Sequence, residues 1–343
     1  MNPRDRVIKT LRFESVDRAP RDLWYLPGVE MFRKNELDEV LQEFPPDFAS
    51  PRYRYGKSRR ARGIPNVIGE YVDAWGSVWT VAEPGVIGEV KAPPLADWSA
   101  LDSYTPPWEL LEEADLSEVN RSCAETDRFV KVGTETRPFE RMQFLRGTEN
   151  LFLDLAYGTK EVYRLRDMLH EFFIREMEMW AKTDVDAVAF MDDWGAQKAL
   201  LISPELWRSF FKPLYKDYCD ILHSAGKFVF FHSDGNIEVI YPDLIEIGIS
   251  ALNSQLFCMN IEELGRKYGG KITFWGEIDR QKILPFGSTD EVRQAVRRVR
   301  RALDTGHGGV IAQCEWGVKD PKENIRAVFD EWLKRKEHAA GNE

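Results

Sequence analysis

The sequence predicts an α/β chain, a (β/α)8 TIM barrel, on three observations. Short β-branched and aromatic runs alternate with longer amphipathic stretches from residue 129 onward, the pattern of a parallel sheet covered by helices. Counted together with the N-terminal runs they come to about eight, the number for a closed barrel. No G-x-G-x-x-G follows the first run, so an open dinucleotide-binding sheet lacks its phosphate loop.

The elements follow in chain order. Asn2-Pro3 opens an N-terminal helix, with Asn as cap, Pro in the first turn and Val7, Ile8 and Leu11 as its apolar stripe. Arg21 to Pro27 reads as the first strand, and Glu30 to Phe44 as a helix closed by Pro45-Pro46. Phe48 to Tyr53 is a short strand candidate. An irregular excursion with a small hairpin then runs over about 52–107, before the third strand. It holds Lys57, Arg59, Arg60 and Arg62, a basic patch read as a solvated loop. The remaining strands are Phe129 to Gly133, Val185 to Met191, Phe228 to Phe231, Ile249 to Gln255, Ile272 to Trp275 and Gly308 to Glu315. Between them, Thr159, Ser203-Pro204 and the Ser288-x-x-Glu291 capping box start helices with apolar faces at helical spacing. Residues 1–343 are read as a single domain, with the excursion not separate.

Composition excludes several function classes. The formal net charge of −10 argues against a nucleic-acid partner, which needs a cationic face. The four cysteines lack C-x-x-C spacing, so neither a disulfide scaffold nor a zinc finger is indicated. Arg4, Asp5 and Arg6 stand where a secretory signal would be apolar, and no run is long enough to span a membrane. The cytoplasm is the expected location.

In a barrel of this kind all strand C-termini open onto one face. That face is expected to receive Asp192 and Asp193, His232 and Asp234, Gln255, Cys258, Glu277 and Asp279, and Cys314 with Glu315. His232 is the first polar residue after an apolar run, and Asp234, two residues on, shares its side in an extended chain. A histidine, thiols and carboxylates arriving from separate strands suit a zinc ion, and sulfur ligands select zinc over magnesium. The expected ligands are His232 and Cys314, with either Asp234 or Cys258 as the third. Asp193 or Glu277 is expected to orient substrate or move a proton. Asp192, a further catalytic candidate, points away from Asp193 in a strand, so at most one of the two faces the pocket. Trp194, Gln255, Trp275 and Asp279 are placed around the substrate. Cys123 and Cys219 are assigned to packing.

The chain also resembles a known family. The carrying segments are Arg12 to Pro20, Asp73 to Gly76, Leu145 to Asn150, Met191 to Gly195, Phe231 to Asn236, Phe274 to Asp279 and Asp320 to Ile325. Together they resemble the uroporphyrinogen decarboxylase superfamily, which includes methylcobamide-dependent methyltransferases, over nearly the whole chain. The resemblance implies a (β/α)8 barrel and a homodimer. Its porphyrinogen decarboxylases carry an Arg-Gln-Ala-Gly-Arg segment after the first strand for substrate carboxylates; here that place reads Trp24-Tyr25-Leu26-Pro27-Gly28. Its corrinoid methyltransferases hold zinc with His-x-Cys on the fifth strand and Cys on the eighth. This chain matches at His232 and Cys314 and has Asp234 at the middle position. The resemblance therefore implies a zinc-dependent methyltransferase that acts on a small-molecule substrate with cobalamin carried by a separate corrinoid protein. The alternative is a metal-free decarboxylase or lyase in which Asp192 or Asp193 stabilises a developing cation.

Overall fold

Eight strands run parallel around a common axis: β1 (Arg21–Tyr25), β2 (Phe48–Ala49), β3 (Phe129–Gly133), β4 (Ala187–Met191), β5 (Phe228–Ser233), β6 (Ala251–Ser254), β7 (Thr273–Trp275) and β8 (Val310–Trp316). The structure is a computed structural model that describes residues 1–334. The hydrogen-bonded order is β1-β8-β7-β6-β5-β4-β3-β2, and β8 joins β1 from Arg21↔Ala312 to Tyr25↔Trp316. Alternation along each strand sorts the side chains. Phe48, Phe129, Ala187, Phe230, Ala251, Trp275 and Ile311 point inward, and Val7 and Leu11 of the N-terminal helix plug the base beneath them. The intervening residues, such as Val132, Phe190, Phe231 and Phe274, face the helices.

No ladder joins β1 to β2, and the barrel closes there through one carboxylate. The Asp47 amide donates to the Arg21 carbonyl at 2.9 Å, and the Arg21 amide returns a bond to Asp47 Oδ2 at 2.6 Å. The same carboxylate, 1% exposed, accepts Arg6 Nη1 at 2.6 Å and both Arg18 Nη atoms at 2.7 and 2.9 Å. The stretch ending in Arg18-Ala19-Pro20 thus closes the base of the barrel, away from the strand C-termini.

Three elements differ from the sequence reading. The helix expected over 30–44 is two, Pro27–Phe32 and Lys34–Glu43. They break at Arg33, whose guanidinium turns to the Val318 and Asp320 carbonyls and to Glu36. The helix after Ser203 passes through a π-helical turn at Trp207–Phe211 before Lys212–Ser224. The excursion holds three antiparallel strands, 69–72, 78–81 and 89–92, where a hairpin was expected. Asp73 anchors it by accepting the Trp75 and Ser77 amides, Trp79 Nε1 and Arg141 Nη1. Its Trp75, Leu95 and Leu101 join the apolar layer of the helices. No helix among the described residues is long and apolar enough to cross a membrane.

One buried carboxyl makes stability depend on pH. Glu176, in the helix Lys160–Ala181, is fully buried and accepts Tyr55 Oη at 2.5 Å, the Glu135 amide at 3.0 Å and Thr136 Oγ1 at 2.7 Å. Burial pushes its pKa up to about 7, against the lowering effect of those donors. A carboxyl raised in the folded state binds its proton more tightly there. Stability is therefore greatest below its unfolded value and falls as pH rises through about 7. Glu176→Gln keeps a matching set of partners, because its amide donates to Thr136 Oγ1. It should flatten the urea midpoint between pH 5 and 8, removing a pH-dependent loss on the order of 2–3 kcal/mol.

Candidate metal centre

The exits of β4 and β5 touch backbone to backbone. The Gly195 amide donates to the Asp234 carbonyl at 2.9 Å, and Gly235 adopts φ +79°. A Cβ on Gly235 would stand 2.1 Å from the Gly195 carbonyl oxygen, so the contact requires glycine. The approach brings Asp193 Oδ1 onto the Asp234 amide at 2.9 Å and sets both aspartates beside His232. His232 Nε2 lies 3.6 Å from Asp193 Oδ1 and 3.4 Å from Asp234 Oδ1.

The imidazole is oriented from behind. His232 Nδ1 is 2.6 Å from Asn253 Oδ1. The Asn253 amide nitrogen donates to the Trp275 carbonyl and to Gln313 Oε1, so its oxygen is the atom left for the histidine. Nδ1 therefore carries a proton, and Nε2 is the ring atom turned toward the two carboxylates. Asp234 Oδ1 is buried without a hydrogen-bond partner. Two carboxylate oxygens facing Nε2 call for a positive centre there, either a proton on Nε2 or a cation held by all three. The three donor atoms lie within 4.8 Å of one another. Ligands about 2.1 Å from a shared tetrahedral centre stand ~3.4 Å apart, so the N···O separations fit one divalent ion. Asn253→Ala removes the partner that fixes the imidazole. Divalent-metal affinity measured by competition with a chelator should fall about 10- to 100-fold, with the fold retained.

Around this group burial raises the carboxyls. Burial raises the Asp193 pKa, opposed by His232. Glu140, in the helix Pro138–Arg146, is pushed up to about 7 by burial and then by the charge of Asp193, and its Oε2 has no hydrogen bond, with Arg137 Nη1 3.9 Å away. Glu277 is buried, and burial lifts its carboxyl well above the usual range, against the pull of Arg280. Arg280 bridges the far side, bonding Asp234 Oδ2 and Glu315 Oε1, with its Nε 3.8 Å from Glu277 Oε2.

The profile of the uroporphyrinogen decarboxylase (URO-D) family matches residues 77–334. The chain belongs to the URO-D family. The comparison with curated proteins found no match. Among solved structures the URO-D chain is similar to a methyltransferase from Methanosarcina mazei, at 16% identity and TM-score 0.69, over 97% of this chain and 98% of that one. A more distant barrel is a glycosylated endo-β-1,4-xylanase from Gloeophyllum trabeum, at 9% identity and TM-score 0.46, over 95% and 99% of the two chains.

Not every expected site residue of this URO-D chain reaches the mouth. Cys314 is fully buried among the outward residues of β8, with Val310, Ala312 and Trp316. Gln313 and Glu315 take the inward positions, so the thiol faces the helices and is not part of the Asp193–His232–Asp234 group. Burial also drives its pKa well up, away from a thiolate. Asp192 is turned from the pocket. Its oxygens accept the Phe139 and Glu140 amides at 2.7 Å each and Tyr215 Oη at 2.6 Å, so it anchors the start of the Pro138–Arg146 helix. Trp194 stacks on Phe139 at 4.1 Å and donates to Tyr215 Oη, fully buried in the helix layer; no face is left for a substrate. Trp275 lies inside the barrel, with its indole on Asp22.

The others cluster beside Arg280. Cys258, Gln255, Glu277 and Asp279 line a small cavity of about 50 Å³. Gln255 Oε1 accepts the Gly235 amide at 2.9 Å and Cys258 Sγ at 3.4 Å, so the thiol is a donor next to the metal group, not a member of it. Asp279 caps its own turn through the Gln281 and Lys282 amides. The sequence reading missed Asn253, Glu140, Arg280, Lys131 and Trp24, whose ring centroid is 5.2 Å from that of His232.

Proposed function

We propose that the chain is a zinc-dependent methyltransferase of the URO-D family that works on a small methylated substrate or thiol with a separate corrinoid protein. The observation that carries this reading is the position of His232 Nε2, 3.6 Å from Asp193 Oδ1 and 3.4 Å from Asp234 Oδ1 with Nδ1–H committed to Asn253. His232, Asp193 and Asp234 would hold the ion, a nitrogen and two oxygens that zinc accepts without sulfur. When bound, zinc supplies Lewis acidity, polarising a methyl ether or amine or lowering the pKa of an acceptor thiol. Asn253 keeps the imidazole in its ligand tautomer, and Arg280 holds Asp234 toward it. Burial lifts the Glu277 carboxyl well above the usual range, which favours the acid form that would donate to a leaving heteroatom. The fold shared with the M. mazei methyltransferase motivates the choice of the methyl-transfer branch. Trp24 to Gly28 offers no arginine for a polycarboxylate, which weighs against a porphyrinogen.

The test is a methyl-transfer assay on the metal-loaded chain with methylcobalamin and 2-mercaptoethanol. The methyl group passes from cobalt to sulfur, the thiol proton is released, and the cobalt retains the bonding pair. Decay of methylcobalamin absorbance that needs the metal is expected. Turnover of a porphyrinogen by the metal-free protein, with no methyl transfer, would replace this reading by the decarboxylase one.

A further inference from the structure

Below His232 one side of the barrel mouth carries small inward residues, an exposed Gly133 and a half-buried Ala189. Lys131, on β3, directs its ammonium inward, 3.1 Å from Asp22 Oδ2 and 3.8 Å from the Trp275 ring centroid. Phe48, Phe230 and Trp24 present their rings to it at 5.1, 5.6 and 5.7 Å. Asp22 Oδ2 also accepts Trp275 Nε1 at 2.9 Å and Trp24 Nε1 at 3.3 Å, so its charge is shared among three donors. An ammonium has three N–H groups. One reaches Asp22, and no other acceptor meets Lys131 among the described residues. Aromatic faces attract a cation but give its N–H groups no directional acceptor.

The base of the barrel is plugged, yet the Lys131 side chain stays 14% exposed. The opening therefore lies toward the mouth, and two small residues leave it there. Gly133 faces the same way as Lys131, and a Cβ on it would meet nothing within 4 Å. Its register partner on β4 is Ala189, which is only half-buried although it points into the barrel. The Trp24 ring lies near both ends of this space, 5.7 Å from Lys131 Nζ and 5.2 Å from the His232 ring.

We propose that this space is the substrate chamber and that Lys131 is its recognition group, binding the carboxylate of a small flat acid laid against Trp24, with its far end at His232. This rests on the metal centre being the reactive site and adds the substrate class to it, but binding at Lys131 needs no metal. A carboxylate supplies the acceptor that the two remaining N–H groups lack, and Trp24 supplies a face for a planar body.

The probe is benzoate, titrated calorimetrically into the full chain stripped of metal with a chelator, with benzamide as the uncharged control. Saturable benzoate binding is expected, at least about tenfold tighter than benzamide, as a hydrogen bond to a charged group implies. Lys131→Met should weaken it by about tenfold or more. Ala189→Phe fills the chamber and leaves the Lys131–Asp22 pair in place, so it should also weaken binding, and it decides the matter if Lys131→Met does not fold. Absence of saturable benzoate binding to the unaltered chain, or equal binding by benzamide or by folded Ala189→Phe, would overturn the proposal. A chain that fails to take up zinc still gives this titration, so the two readings fail separately.

Discussion

His232→Ala is expected to lose divalent metal while keeping its fold. The substitution removes the only nitrogen from a group whose other members are Asp193 and Asp234. Two carboxylates without the imidazole form a weak, solvated site. Affinity should fall by more than the roughly 10- to 100-fold produced by losing a ligand's hydrogen-bond partner. Asn253, freed from the imidazole, keeps its bonds to the Trp275 carbonyl and Gln313, so the strand ends stay in place. Two measurements check this. Mass-spectrometric metal analysis after dialysis should give near-stoichiometric zinc for the unaltered chain and little for the variant. Metal at about 100 times its dissociation constant should stabilise the unaltered chain by ~2.7 kcal/mol and leave the variant unmoved. Full metal content in the variant would show that these three residues are not the site.

Asp47→Ala is expected to produce the largest loss of stability. This carboxylate lies at the one seam of the barrel without a ladder and accepts two guanidiniums and a backbone amide. Removing one partner of a buried ionic group leaves uncompensated charge, which costs on the order of 3–5 kcal/mol. Arg6 keeps Asp17 as a second partner, but Arg18 retains only the Ala19 carbonyl. The urea midpoint should fall sharply. In contrast, Asp17→Ala, at a side chain 45% exposed, should cost under about 1 kcal/mol. Equal effects of the two substitutions would mean that Asp47 does not hold the seam.

Much of the barrel was legible because strands buried on both faces read as short apolar runs between amphipathic helices. β3 and β5 show this most plainly. β2 is only two residues long, and its closure depends on the Asp47 side chain, which periodicity does not reveal. At the site, the spacing of His232 and Asp234 was readable because both follow one apolar run and share a face. Cys314 was drawn in by its polar neighbours, yet alternation along β8 sends Gln313 and Glu315 inward and Cys314 outward. Asp192 and Trp194 were misassigned because proximity to a strand end does not say whether a side chain meets the pocket or the helix that follows. Asn253 and Lys131 left a signal, a polar residue at an inward position of an apolar strand, where burial demands a partner. Glu140 left none, because its place depends on how the Pro138–Arg146 helix is hung from Asp192.

The metal assignment is tested most directly by anomalous diffraction from crystals of the zinc-loaded chain, recorded on both sides of the zinc edge. One peak is predicted within bonding distance of His232 Nε2, Asp193 Oδ1 and Asp234 Oδ1. A peak at the Cys314 or Cys258 sulfur, or a stoichiometric zinc ion bound anywhere else, would contradict it.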